Sequence, residues 1–442
     1  MHPHYTQNDP LLALRPHLSK PRWVSVVLLV LALPVVQSCI VWKIAVAVFL
    51  PIRVESAYQR LKRLLGWPTD LWTRLKIAWL LWVIDHFTCK GQRLHLLIDW
   101  TMHTDRVRSL WVQLVCGSGR SIPLTFWLAD NQFGGPGKQR AFEDDCLRQL
   151  HGWLPDGWPV LLIGDRGFGG RDRMRFIQKD LDWLFCFRIT GDAKVALEQW
   201  VQNGRSWCRR VHYQRVDADP PPPGGRWQKE GVRYGRGHAI TVNLVAARLP
   251  TEDPKADAVW YLATNLPLHE DVVAVYAQRM QIEQSFRDAK SNLGMEKEYT
   301  RQPSKRLQGL LVVIMIVLGR QIWQGRQALA DSSQQAASPA RPDEPAAPVQ
   351  PPTASLSLPK EGSLASGPKR YRVVSDARRG WHEMLVEVVL QEGPIRQAVV
   401  EAAKKSERMQ QRPQVCKRRI AMPTKSRAQT GKPASVRARM AA

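Results

Sequence analysis

The chain has 442 residues, enough for two or three domains and a sizeable buried core. Its 64 Lys and Arg against 39 Asp and Glu leave a net charge of +25. That favours a polyanionic partner, nucleic acid first and an anionic membrane surface second. Seven cysteines stand singly at 39, 89, 116, 146, 186, 208 and 416, with no C-x-x-C pair. Neither a zinc site nor a disulfide framework is indicated, and a reducing cytoplasm fits.

Residues 1–22 read as a loose basic leader. The run "WVSVVLLVLALPVVQSCIVWKIAVAVFLP" (23–51) is apolar, yet Pro34, Gln37, Ser38 and Lys43 interrupt it. A membrane-spanning helix needs about 20 mostly apolar residues in sequence, so two packed helices are expected instead, with no stable membrane partner. "ESAYQRLKRLLG" (55–66) sets Arg60, Lys62 and Arg63 beside leucines at helical spacing, and "PTDLWTRLKIAWLLWVI" (68–84) continues as a capped amphipathic helix. Residues 1–90 are therefore expected to form a helical N-terminal domain able to contact DNA.

The pattern changes beyond residue 90. "RLHLLIDWT" (93–101) is a short apolar run ending near Asp99, and residues 111–130 form two strands around Gly117–Gly119. "QRAFEDDCLRQLHGWL" (139–154) is helical. "WPVLLIGDRGFGG" (158–170) has the continuous apolarity of a strand buried on both faces and reaches Asp165. A basic helix (171–180) and the strand "WLFCFRIT" (183–190) follow. This β, β-hairpin, α, β, α, β order predicts a ribonuclease-H-like mixed sheet, an α/β catalytic domain over 91–326. An inserted, mostly β segment at about 191–270 interrupts it.

Within "YAQRMQIEQSFRDAK" (276–290), Tyr276, Arg279, Glu283 and Lys290 fall in a stripe roughly 60° wide at about 100° per residue, with Arg287 beside it. A solvated helix with one Arg–Glu pair would look the same. "LQGLLVVIMIVLGRQIW" (307–323) is an apolar core helix. Residues 327–368, rich in Ala, Pro, Gln and Ser, read as a disordered linker. Residues 369–442 are weakly helical and end in a basic tail: the last 34 residues hold nine Lys or Arg and no acid.

Asp99 and Asp165 end strands that would be neighbours, and Glu283 arrives on a helix packed across them. Each could be an ordinary turn or ion-paired acid. Together they suit phosphodiester chemistry, in which two divalent cations about 3.5–4 Å apart activate the nucleophile and stabilise the leaving oxygen. Mg²⁺ prefers such carboxylate oxygens.

The spacing Y-x2-R-x3-E-x6-K, with "LLIDWT" and "LLIGDRGFGG" upstream, resembles the signature of the IS4-type bacterial insertion-sequence transposases over roughly residues 55–325. The resemblance implies a DDE catalytic core of ribonuclease-H-like fold with Asp99, Asp165 and Glu283 as catalytic metal ligands for two Mg²⁺, with Mn²⁺ as a substitute. It implies that Tyr276, Arg279 and Lys290, with Arg287 near them, hold terminal phosphates. "WYLAT" (260–264) resembles the segment whose Trp stacks on a flipped base, which makes Trp260 a further DNA-binding residue. Cut-and-paste transposition through a hairpin, double-stranded DNA ends and target as substrates, a homodimer bridging two ends, and a cytoplasmic, nucleoid-associated location all follow by the same likeness. A nuclease of the same fold and a transposase-derived DNA binder without catalysis are the alternatives. "GGPGKQ" (134–139) lacks the spacing and the Ser/Thr of a phosphate-binding loop, so an NTPase is not indicated.

Overall fold

A computed structural model describes residues 9–47, 53–117, 119–203, 206–235, 239–249, 259–295 and 304–337. The β-branched and aromatic runs near its middle form three antiparallel strands, β1 (Leu94–Met102), β2 (Val107–Val115) and β3 (Ser121–Asp130). Helix α6 (Lys138–Trp153) crosses back to β4 (Val160–Gly164), parallel to β1; helix α7 (Arg171–Lys179) leads to β5 (Leu184–Ile189), parallel to β4. All five β4 residues are buried, as its unbroken apolarity predicts. The resulting order β3-β2-β1-β4-β5 is the expected ribonuclease-H-like core.

The inserted strands do not form a separate layer. Strands β6 (Lys194–Asn203), β7 (Ser206–Arg215), β8 (Arg226–Tyr234), β9 (Ile240–Arg248) and β10 (Val259–Thr264) extend the same sheet to ten strands, in the order β5-β10-β9-β8-β6-β7. Strand β10 pairs antiparallel with β5 and closes what would otherwise be an open edge of the core.

Before β1 come five helices: α1 (Pro10–Leu14), α2 (Lys20–Val36), α3 (Val41–Ala47), α4 (Val54–Leu65) and α5 (Thr69–Phe87). The apolar 23–51 stretch is divided between α2 and α3 by Gln37, whose left-handed backbone (φ 51°) ends α2; residues 48–51 lie outside the described segments. In α4, Arg60 is turned inward and donates to Ser25 Oγ at 2.9 Å, so Lys62 and Arg63 carry that helix's outer charge. Helix α5 covers terminal strand β3: Trp79 Nε1 donates to Pro123 O at 2.7 Å and Lys76 Nζ to Phe126 O at 2.9 Å. Burial lowers the Lys76 pKa to about 8.

After β10 come α8 (Val272–Ala277), α9 (Met280–Asn292) and α10 (Ser304–Ala337). One continuous cluster of buried apolar side chains joins the N-terminal helices, the sheet and α10. Helix α10 is longer than its apolar segment alone suggests and enters the stretch read as a linker. Ala, Leu and Gln in residues 327–337 favour helix over coil, which corrects the linker's start; residues 338–442, including the basic tail, lie outside the described segments.

Within α10, Arg306–Leu329 is long and apolar enough to cross a membrane, with mean hydropathy 1.5, but 78% of its most apolar window is buried inside the protein. Arg320 in that window is 1% exposed and pairs with Asp9, the N-cap of α1, at 2.7 Å. Against α5 the helix is kept thin by glycine. A Cβ at Gly319 would collide with the Trp79 ring, which is fully buried. Gly319→Ala should therefore lower stability by about 1–3 kcal/mol, read as the urea midpoint. Gly325→Ala on the same helix has open space and should gain up to about 1 kcal/mol.

Candidate active site

Strands β1 and β4 run in register, with Ile98 opposite Gly164. The next residues are Asp99 and Asp165, which therefore sit side by side. Asp165 follows the end of β4 as expected, but Asp99 does not end its strand, because β1 stays paired to β2 as far as Met102. The approach there is close: a Cβ on Gly164 would lie 3.0 Å from Ile98 Cγ2 and 3.1 Å from Phe168. Asp165 caps the tight turn Arg166–Phe168, its Oδ1 accepting from Gly167 N at 2.9 Å. Asp99 Oδ1 accepts from Trp100 N at 2.8 Å. Each acid thus has one oxygen fixed by backbone.

Glu283 comes from α9. The expected single helix over 276–290 is instead two: Tyr276 belongs to α8, and Arg279 is the N-cap of α9. Residues 278 and 279 keep right-handed helical angles, but hydrogen bonds tighten there to i→i−3, with Arg279 N donating to Tyr276 O at 2.9 Å. His95 Nδ1 and Gln278 Oε1, 2.8 Å apart, dock this junction onto β1. Arg120 to Asp288 at 2.8 Å docks the rest of α9.

The junction aims Arg279 at both acids. Its Nη2 lies 3.0 Å from Asp99 Oδ2 and its Nη1 lies 2.5 Å from Glu283 Oε1. Arg279 and Asp99 are each 14% exposed, and Glu283 is 40% exposed. Burial pushes the Asp99 carboxyl up to about 6; Arg279 opposes the shift, and the charges of Asp165 and Glu283 add to it. The three acids therefore share one electrostatic neighbourhood.

That neighbourhood is not the metal cage anticipated from sequence. Among the described residues, no three His, Cys, Asp or Glu side chains stand together as a metal-binding group. The reason is local: Asp99 and Glu283 each direct an oxygen at the intervening guanidinium. Carboxylate oxygens are nevertheless the donors a divalent ion such as Mg²⁺ prefers, and Asp99, Asp165 and Glu283 supply them from neighbouring elements.

The remaining predicted residues divide. Tyr276 is 4% exposed and packs edge-on against half-buried Trp260, with ring centroids 4.9 Å apart. Burial raises its phenol to about 12. Lys290 is half-buried and acts electrostatically on His103, four residues beyond Asp99; His103 is lowered to about 4, first by burial and then by Lys290. Arg287 is exposed and donates to Gln284 at 3.3 Å, away from the acids.

Three neighbours were not singled out from sequence. One is His103. Another is Arg188 on β5, next in register to Asp165 and within electrostatic reach of Tyr276; a lone charge in "FCFRIT" was its only signal. The third is Glu143 on α6, 2% exposed, which accepts from Trp100 Nε1 at 2.6 Å and pairs with Arg173 of α7. It braces the residue that follows Asp99.

An acid within β1, one just after β4 and one on a helix after the inserted strands, carried by this sheet order, give the ribonuclease-H-like arrangement. Residues 90–318 match the family described as the transposase DDE domain. That is more than half of the chain, and the protein belongs to this family. It is a DDE transposase, of a family that generally uses divalent metal ions and acts on DNA. No curated protein matches it.

Proposed function

We propose that the chain is an IS4-type, cut-and-paste transposase whose catalytic residues are Asp99, Asp165 and Glu283. The observation that carries this reading is the emergence of Asp99 and Asp165 from adjacent parallel strands, with Glu283 linked to Asp99 through Arg279. In this reading the three acids hold divalent ions, Mg²⁺ or Mn²⁺, which when bound supply an activated nucleophile and a stabilised leaving oxygen.

The chain's own groups bind and orient the DNA. Arg279 and Lys290, about three turns apart along α9, each take a phosphate of the bound end, with the Tyr276 hydroxyl beside them. Trp260, braced by Tyr276, receives an extruded base, a contact worth roughly 1–3 kcal/mol. Hydrolysis at the element's ends frees a 3′-hydroxyl. That hydroxyl attacks the opposite strand to give a hairpin, which reopens before joining to target DNA. Two copies bridge two ends, the N-terminal helices add DNA contacts through Lys62 and Arg63, and the protein works in the cytoplasm at the nucleoid.

The test is to incubate the purified protein and Mg²⁺ with DNA carrying the repeats that flank its gene. Joined products are expected. Nicks alone would mean a nuclease, and binding without cleavage a repurposed binder. Lys290→Ala should weaken binding to the cut end and lower the slope of log affinity against log salt by about one; an unchanged slope would remove its phosphate role.

A further inference from the structure

Arg279 makes two bonds that a divalent ion would have to replace. Its guanidinium spans Asp99 Oδ2 and Glu283 Oε1, oxygens of two separate carboxylates. Its third donor, Nε, is buried and has no acceptor among the described residues. The side chain therefore holds two acids while its buried Nε–H goes unused, an arrangement that leaves it open to a better anion.

We infer that Arg279 is an internal cation that competes with metal for Asp99 and Glu283 and yields them when a DNA phosphate takes its guanidinium, so that metal and DNA bind cooperatively. This rests on the proposed function of the three acids. A dication entering beside a fixed guanidinium meets like-charge repulsion in a partly buried site, and finds two of its donor oxygens engaged. A phosphodiester offers the same guanidinium two oxygens in a geometry suited to paired N–H donation. Once Arg279 has turned to the phosphate, Asp99 Oδ2 and Glu283 Oε1 are free to take a metal ion. By linkage, the factor by which DNA tightens metal binding equals the factor by which metal tightens DNA binding. The protein would then load its metals only on DNA.

The experiment titrates the full chain with Mn²⁺ alone, following bound ion by the loss of the free-ion EPR signal. Arg279→Gln is expected to bind Mn²⁺ at least tenfold more tightly than wild type, with Arg279→Lys between them, since an ammonium keeps the charge but not the paired fork. Circular dichroism checks folding, and the Lys variant decides should the Gln variant not fold. In parallel, affinity for a 5′-phosphorylated duplex is measured in EDTA and in Ca²⁺. Wild type should bind severalfold more tightly with Ca²⁺, and Arg279→Gln should lose that ratio. Equal or weaker Mn²⁺ binding in both Arg279 variants, or a ratio preserved in Arg279→Gln, would overturn the inference. Asp165→Asn and Glu283→Gln, each added to Arg279→Gln, separate the two ideas: if neither reduces Mn²⁺ binding in that background, the proposed catalytic site itself is wrong.

Discussion

Asp99→Asn is expected to reduce strand cleavage by at least about a thousandfold, the scale on which removal of one group that stabilises transition-state charge acts. Asparagine keeps the shape and still accepts from Trp100 N, so the end of β1 is preserved. What disappears is a negative charge placed beside Asp165 and tied through Arg279 to Glu283. Binding to DNA should be retained or tightened, because loss of an acid removes no phosphate contact and loosens the hold on Arg279. Glu283→Gln should behave alike, whereas Arg287→Ala, exposed and turned toward Gln284, should cleave nearly as wild type. Single-turnover cleavage of a labelled DNA end, with anisotropy for binding, measures both quantities. Wild-type rates in Asp99→Asn or Glu283→Gln would remove these acids from the reaction.

The second large effect is on stability. Arg173 and Glu143 are 3% and 2% exposed and form an ion pair, with Asp144 Oδ1 3.3 Å from Arg173 Nε. Burial raises the Asp144 carboxyl, and Arg173 is the strongest influence opposing it. Arg173→Met would leave two acids on one buried helix face without their shared cation. Breaking a buried pair from one side costs about 3–5 kcal/mol, a large share of the roughly 5–15 kcal/mol that holds a domain folded. The guanidinium chloride midpoint should fall accordingly. Adding Glu143→Leu should restore part of the loss, since the fully buried acid is then gone and Asp144 keeps Arg140 at 3.7 Å. A midpoint unchanged in Arg173→Met would show that the pair contributes nothing to folding.

Much of the site's placement was legible because it depends on local pattern. The apolar runs before Asp99 and Asp165 read as strands, and parallel pairing of the two puts their acids together, although β1 continues past Asp99 to Met102 because its pairing with β2 goes on there. Glu283 was legible from helical spacing. The break between α8 and α9 was not, because residues 278 and 279 keep helical angles and alter only their hydrogen bonding; a 100° pattern barely registers that change. The Arg279 bridge was hidden for a different reason. An i,i+4 Arg–Glu pair can be read from spacing, but the third partner, Asp99, lies 180 residues away. Glu143, Arg173 and Arg188 escaped for the same cause: a buried charge is recognised by the partner that neutralises it, and that partner is set by the fold. The length of α10 was obscured by an Ala- and Gln-rich composition that serves helix and coil equally.

The clasp between Asp9 and Arg320 joins residues 311 positions apart. On the ribosome, at about 5–20 residues per second, that interval lasts about 15–60 s. Throughout it, α2, α4 and α5 wait without the helix that covers them, their leucines and tryptophans open to water. Newly made chains should therefore depend on chaperones that shield apolar surface, and translation halted before α10 should yield insoluble protein.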